Sequence, residues 1–237
     1  MSLDDVIWHD VECGRYDADL PLWRELADNA AEGVLDVGAG TGRVALRLAE
    51  AGHAVTALDL DPALLETLRE RATQAGVEVA TITADAADFT VPRPVGLVAV
   101  PMQTIQLLPE RAGFFAAAKR AVVPGGRVAV AIATDLEPYD GAPPLPAPDL
   151  GRLDGWTYIS QPIAIRVNDD HVLIERIRQM VGPEGERETF DDVIRLQVVS
   201  PGELAEEAAE HGLEAEELRH IPETPEHVAG EVVVFRG

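Results

Sequence analysis

Val34-Leu35-Asp36-Val37-Gly38-Ala39-Gly40-Thr41-Gly42-Arg43 is the stretch on which the fold turns. A four-residue apolar run ends in three glycines at alternate positions. A segment from about Arg43 to Ala51 follows, with Val44, Leu48 and Ala51 on one helical face. The order strand, glycine loop, helix lets a ligand approach the backbone closely, because glycine turns sharply and carries no Cβ. The helix beyond it offers unpaired N–H groups and the positive end of a dipole. A dinucleotide fingerprint would read G-x-G-x-x-G, but the residue three after Gly40 is Arg43. Asp36 at the strand end is a poor neighbour for a pyrophosphate. It suits a ligand that carries an ammonium group and a single carboxylate.

Working outward, the pattern repeats. Gly52 stops the first helix, Ala54 to Leu58 reads as a second strand, and Asp61-Pro62 opens a second helix with Asp as cap and Pro at the first position. That helix runs to about Gln74 and ends at Gly76. Val77 to Thr83 and Val95 to Val100 read as the third and fourth strands. A helix from about Glu110 to Val122 leads through a Pro124-Gly125-Gly126 turn to a fifth strand, Arg127 to Ala133. Apolar strands alternating with amphipathic helices make parallel βαβ units. The expected architecture is α/β, a Rossmann-like doubly wound and mostly parallel seven-stranded sheet, with its ligand at the carboxyl ends of the strands.

The alternation breaks after Asp135. Glu137 to Leu150 holds five prolines and reads as a loop. Trp156 to Val167, His171 to Val181 and Thr189 to Val199 read as strands joined by Asn168-Asp169-Asp170 and Gly182-Pro183-Glu184-Gly185, which are hairpin compositions. Ser200-Pro201-Gly202-Glu203 then starts a helix that ends at His211-Gly212, and two strands, about Leu213 to His220 and Glu231 to Phe235, complete the large sheet. The chain is therefore read as one domain over 1–237, with an N-terminal helical segment at about 1–32 and a small antiparallel β insertion, or cap, at about 135–199.

The formal net charge of −23 opposes contact with nucleic acid and with anionic membranes. No apolar run reaches membrane-span length, the N-terminus lacks a signal-peptide pattern, and Cys13 is the only cysteine, so a cytoplasmic protein without disulfides is expected. No metal-ligand spacing is present.

Two further acids follow strand ends. Asp59, 17 residues after Gly42, is placed to accept from two vicinal hydroxyls, as on a ribose. Asp61 reads as the helix cap. Asp85 can accept from an exocyclic amine while the Ala86 N–H donates to a ring, with Leu60 and Phe89 as apolar neighbours of a base. Taken together, Val34 to Arg43, Ala57 to Asp61, Asp85-Ala86, Leu97 to Leu108 and Val123 to Arg127 resemble the class I S-adenosylmethionine-dependent methyltransferases, in particular the small-molecule branch. The likeness covers about Tyr16 to Thr134 and resumes at Ser200. It implies S-adenosyl-L-methionine as cofactor. The positions implied to hold it are Tyr16, Asp36, Gly38, Ala39, Gly40, Gly42, Arg43, Asp59, Leu60, Asp85, Ala86 and Gln103.

The family members that methylate adenine or glutamine side chains carry Asn/Asp-Pro-Pro-Tyr after the fourth strand. Here the residues are Val100-Pro101-Met102-Gln103-Thr104, which disfavours that acceptor class. A small-molecule acceptor with a nitrogen or oxygen nucleophile is expected, its catalytic groups unidentified. Gln103 and Gln106 follow the fourth strand where the methyl should point, although helix-start surface positions explain them equally well. Trp8, Trp156 and Tyr158 either line a pocket or pack. His9, His220 and His227 are the histidines placed nearest the acceptor, and His53, His171 and His211 are read as surface. The insertion serves as a cap over the cleft or as a homodimer interface. A protein that binds the cofactor without turnover would carry the same motifs. A nicotinamide-dependent oxidoreductase is disfavoured by the glycine spacing.

Overall fold

The computed structural model describes residues 3–142, 145–224 and 227–237, with side chains from Asp5 onward. Two helices, α1 (Leu3–Cys13) and α2 (Leu20–Asp28), precede β1 (Val34–Val37), an interior strand of a seven-stranded sheet. Its four residues are all buried, as a strand covered on both faces must be. α3 (Arg43–Glu50), β2 (Val55–Asp59), α4 (Pro62–Ala75), β3 (Val79–Thr83), β4 (Val95–Val100), α5 (Ala112–Ala121) and β5 (Val122–Ile132) continue the parallel winding. After the second sheet come α6 (Pro201–Glu210), β11 (Glu214–Ile221) and β12 (Gly230–Arg236). The order across the sheet is β3-β2-β1-β4-β5-β12-β11, and β12 alone runs antiparallel to β5.

The helix boundaries follow from local chemistry. Asp61 caps α4 by accepting from the Ala63 N–H at 2.8 Å, and Gly76 ends it in the left-handed region at φ +70°. Ser200 and Glu203 form a reciprocal capping box on α6. Leu35 and Val37 pack with Val98, Val100, Phe114 and Phe115 on one face of the sheet. Val34 packs with Leu48, Leu65, Leu97 and Trp23 on the other. Asp36 shares the parity of Val34 and so enters the layer beneath α3.

The second sheet is antiparallel: β10 (Arg187–Gln197), β9 (His171–Val181), β8 (Trp156–Val167) and β6 (Tyr139–Asp140), with β7 (Asp149–Leu153) also on β8. Helix α1 lies against it. Trp8 meets Tyr158 edge to face at 5.4 Å, and Ile7 and Val11 join the same cluster.

Four expectations need correction. The proline-rich span is not all loop, because Tyr139–Asp140 and Asp149–Leu153 pair with opposite halves of the twelve-residue β8; of the five prolines, 143 and 144 lie outside the described residues. The fifth strand starts at Val122, not Arg127. Pro124-Gly125-Gly126 forms a wide bulge inside it, where Val95 and Leu97 face Val122 and Arg127, and the chain end fills the gap through Gly125 N–H to Gly237 O and Gly237 N–H to Gly126 O. The last hairpin strand begins two residues early, at Arg187, because it pairs with β9 along its full length. Gln106 is no surface residue. It is buried in the short 3-10 turn Thr104–Leu107 after β4.

Candidate functional site

The carboxyl ends of β1, β2 and β4 meet at the glycine loop. Gly38, Gly40 and Gly42 have φ of +72°, +55° and +95°, a region that L side chains rarely adopt. Their surroundings leave no room for a Cβ either. One on Gly38 would fall 2.5 Å from the Thr104 methyl, one on Gly42 2.8 Å from Leu68, and one on Gly40 would overlap the His9 ring. The loop is pinned from below, since the N–H groups of Gly38 and Ala39 both donate to Leu58 O.

Asp59 closes the next corner. Its Oδ2 accepts from Gly40 N–H at 2.8 Å and its Oδ1 from Asp61 N–H at 2.9 Å. One side chain thus ties the ends of β1 and β2 together while staying half-buried, with lone pairs left for a ligand. The Asp59 carbonyl accepts from Ala84 N–H and so continues the tie to β3. Asp85 lies beyond it, exposed, its Oδ1 accepting from Ala87 N–H, with Ala86 partly packed on the core. Leu60 is 69% exposed beside Asp59 and presents an apolar wall to solvent. Phe89, in contrast, is buried against Phe114 and has no face to offer a base.

Asp36 is the anomaly of the site. It is 1% exposed, and neither carboxylate oxygen has a hydrogen-bond partner of good geometry, although the Ala45 N–H favours its charged form. Burial pushes its pKa up to about 7, against the lowering pull of the Arg43 guanidinium. Arg43 itself is committed elsewhere. Its two terminal nitrogens reach Asp19 at 2.6 and 2.7 Å, one also donates to Tyr16 O, and the Trp23 indole N–H completes Asp19 at 2.8 Å. The Tyr16 ring lies 5.2 Å from that guanidinium and 4.7 Å from the His227 ring. Tyr16 and Arg43 thus form one clamp that carries the chain from α1 past the glycine loop.

Of the roof of the loop, only His9 was singled out in advance. Helix α1 brings His9 over Gly40 and Asp10 to Thr41, whose hydroxyl donates to Asp10 Oδ1 at 2.7 Å; Arg71 of α4 grips the same carboxylate. Thr41 was visible only as the variable residue of the glycine motif, and Asp10 and Arg71 carried no motif at all. At the end of β4, Met102 adopts φ +54°, a conformation costing a non-glycine residue about 1–2 kcal/mol. Gln103 follows it, half-buried, and Thr104 covers Gly38.

Other candidates separate clearly. His220 is exposed on β11 near Glu231, far from the loop in the sheet order, so it does not belong to the site. Trp8, Trp156 and Tyr158 pack together between α1 and β8. Burial pushes the Cys13 thiol up to about 11, which makes it a poor nucleophile. A groove of about 280 Å³ runs beside Tyr16 and His227 and is bordered by Val11, Arg15 and Asp149. A wider groove of about 790 Å³ lies between α2 and α3 and touches no residue of the loop. Among the described residues, no cluster of His, Cys, Asp and Glu has the geometry to hold a metal, and no helix is long and apolar enough to cross a membrane.

Comparison with known proteins agrees with this geometry. Residues 34–126 match the model of the family described as methyltransferase domain. That segment, from β1 into β5, is similar to this family. Among curated relatives, a ubiquinone/menaquinone biosynthesis C-methyltransferase of Zymomonas mobilis is 39% identical over 62 residues, 24% of this chain and 26% of that protein. A ubiquinone biosynthesis O-methyltransferase of Saccharophagus degradans is 31% identical over 105 residues, 44% of each chain. The chain thus spans less than half the length of these relatives. Among solved structures, the amino pentose methyltransferase CalS10 of Micromonospora echinaspora superposes with a TM-score of 0.72 at 21% identity, covering 98% of this chain and 97% of that one. Streptomyces venezuelae DesVI gives 0.72 at 20% identity, covering 98% of both. The two sheets together have the fold of these proteins.

Proposed function

We propose that the protein transfers a methyl group from S-adenosylmethionine to a nitrogen or oxygen nucleophile on a small molecule. The observation that carries this reading is the orphaned Asp36 carboxylate beside a loop of three left-handed glycines. A buried carboxylate without a donor is costly unless a ligand provides one, and the cofactor's methionine portion has an ammonium group. The left-handed backbone of the loop's glycines, without side chains, suits close approach by the same portion. Asp59 retains acceptor capacity for the ribose, and Asp85, Ala86 and Leu60 line the open side for adenine.

When bound, the cofactor supplies an electrophilic methyl on a sulfonium. The chain's task is then to place the acceptor in line with it and to exclude water; positioning of this kind is worth about 7–11 kcal/mol of a barrier. The Met102–Thr104 turn at the end of β4 and the segment 135–199 are assigned to the acceptor, the latter as a cap. A homodimer through the face of the antiparallel sheet turned away from α1, where Val193 is exposed, is the competing use of that segment. The names of two structural neighbours specify an amino pentose methyltransferase and a sugar N-methyltransferase. An amine-bearing, hydroxylated small molecule is therefore the first acceptor class to test. The net charge of −23 argues against polyanionic acceptors.

Calorimetry with S-adenosylhomocysteine and NAD tests the cofactor, and transfer of labelled methyl to a panel of amino sugars tests the acceptor. Tighter binding of NAD overturns the reading. Cofactor binding with no transfer to any acceptor, including a metabolite extract, reduces it to a cofactor-binding protein.

A further inference from the structure

Resting on that proposed function, we infer that Tyr139, Arg176 and Asp192, on the face of the antiparallel sheet turned toward α1, bind the methyl acceptor, and that this acceptor is a hydroxylated amine rather than an apolar ring.

Buried polar groups without partners are rare in folded proteins, and each needs a reason. Apart from Asp36 and Asp61 by the glycine loop, and His53, which meets Asp28, three such atoms remain among the described residues: the Tyr139 hydroxyl, Arg176 Nε and Asp192 Oδ2. All three side chains belong to one face. Arg176 opposes Asp192 directly. Tyr139 opposes Ile165, which in turn opposes Ile174, of the same parity as Arg176 on β9. Opposed residues, and alternate residues along a strand, share a face. On this face Arg178 and Ser160 bind Glu12, and Tyr158 meets Trp8, so it is the one turned to α1. At one end α1 covers it and brings His9 onto Gly40. At the other end Gln106 binds Gln197 O, in the same short turn whose Thr104 lies on Gly38. The three unpaired groups lie on the rows between these two anchors, which flank the glycine loop.

A cavity adjoins them. β7 pairs with Trp156–Ser160 and β6 with Ala164 and Ile165, which leaves that edge of β8 unpaired around Pro162, the residue opposite Arg176. Arg176 reaches along this gap to Asp149 Oδ2 at 2.8 Å. Asp149, with Pro148 and Leu150, borders the groove of about 280 Å³ beside Tyr16 and His227.

The three groups also define the chemistry they take. Arg176 Nε–H can only donate, a charged Asp192 Oδ2 can only accept, and a tyrosine hydroxyl does either. Arg178 holds the other Asp192 oxygen at 2.8 Å. Burial still pushes the Asp192 pKa up, against the pull of Arg178 and Arg176, as befits a carboxylate short of donors. Hydroxyls and an amine pair all three groups. An apolar acceptor pairs none, and each then stays buried at a cost. Ile165, Ile174 and Ile194, on the same face, supply the apolar contact that ring carbons need.

The test measures transfer of labelled methyl to a panel of amino sugars and to cyclohexylamine, an amine of similar size without hydroxyls. It uses the wild type, Tyr139→Phe, Arg176→Lys and Asp192→Asn, with S-adenosylhomocysteine affinity and urea unfolding followed for each. The wild type should prefer an amino sugar. Its KM should rise about ten-fold in Arg176→Lys and Asp192→Asn, in the range of a hydrogen bond to a charged group, and about three-fold in Tyr139→Phe. Affinity for S-adenosylhomocysteine should change less than about two-fold. Tyr139→Phe should unfold at the same urea concentration or a higher one, because it removes a buried group that has no partner. In the complex with S-adenosylhomocysteine, the ¹⁵N resonance of Arg176 Nε, assigned by its loss in Arg176→Lys, should shift when the amino sugar is added. Unchanged KM values, or losses equal for amino sugar and cyclohexylamine, overturn the inference. A wild type that binds S-adenosylhomocysteine yet neither binds nor methylates any amino sugar also overturns it, while the cofactor reading stands. A wild type that does not bind S-adenosylhomocysteine overturns both together.

Discussion

Gln106 and Ala133, 27 residues apart, exchange two hydrogen bonds as if they were paired strand residues. The Gln106 Nε2 donates to Ala133 O at 3.1 Å, and the Ala133 N–H donates to Gln106 Oε1 at 2.8 Å. The same amide nitrogen also reaches Gln197 O at 3.1 Å. One buried side chain thus joins the turn after β4 to the exits of both sheets. Gln106→Ala should leave the Ala133 groups unpaired and cost about 1–3 kcal/mol in urea unfolding. Gln103→Ala, at a half-buried position with no such bonds, should change stability little and acceptor turnover more. Equal stability losses would place the two glutamines in the same role.

Asp59 and Asp61 are two residues apart and should respond differently. Asp59→Asn keeps the shape but removes the charge that serves Gly40 N–H, Asp61 N–H and the proposed ribose. Cofactor affinity should fall about ten-fold or more, as for hydrogen bonds to a charged partner. Asp61→Ala removes the cap on Ala63 N–H, costs about 0.5–2 kcal/mol of stability, and leaves affinity nearly unchanged. Calorimetry and thermal melts on both variants separate the roles.

Asp36 makes stability depend on pH in an unusual direction. Its folded pKa, about 7, lies above the ordinary carboxylate value, so the folded state binds the extra proton. Its contribution is fully present below about pH 4 and is lost as pH rises from there to about 7, on the order of a few kcal/mol. Asp36→Asn should flatten that part of the stability profile. Binding of an ammonium beside Asp36 should also release a proton near pH 6.5, seen as a calorimetric enthalpy that varies with the buffer's ionisation heat. No proton release would mean that the ammonium lies elsewhere.

Glu12 is the joint between α1 and the antiparallel sheet. Its oxygens receive two bonds from Arg178, at 2.7 and 2.8 Å, and one from Ser160 at 2.7 Å. Burial opposes its ionisation, but these bonds hold its pKa below the usual value. Its contribution is therefore present above the unfolded pKa and is lost as pH falls through the folded one. Glu12→Ala should cost on the order of 2–4 kcal/mol, because it leaves Arg178 mostly buried with a weakened set of partners. It should also weaken the cofactor, since the same helix carries His9 and Asp10. Unchanged cofactor affinity would show that the loop keeps its shape without the sheet's support. By the same logic, replacing 156–199 with a short Gly/Ser linker should reduce cofactor affinity as well as methyl transfer.

The parallel half of the fold was readable because its signals are local. Gly38, Gly40 and Gly42 announce their backbone conformation, Asp61-Pro62 announces a helix start, and the apolar period marks each strand. Proline misled where it flanks a strand rather than breaking it, as at Pro148 before Asp149–Leu153. Within the site, the acids at strand ends could be placed because strand order sets where they emerge. His9 was singled out only as a histidine near the acceptor, and Asp10 and Arg71 not at all, because what brings them to the glycine loop is the packing of α1. That packing is decided by Trp8, Val11 and Glu12 meeting a sheet encoded more than a hundred residues later. Gln106 was undervalued for a similar reason: a polar residue in an apolar run reads as surface until its partners, distant in sequence, are known.

The contact between Glu12 and Arg178 spans 166 positions, and this has a consequence for biosynthesis. The helix that roofs the glycine loop leaves the ribosome before its partner strands, which follow only after β1 to β5 are complete. In the interval its apolar side, Ile7, Trp8 and Val11, has no surface to cover it. Contacts this distant form late and leave such surface exposed to other chains. Yield of active protein should therefore depend on how fast the segment from β8 to β10 is translated.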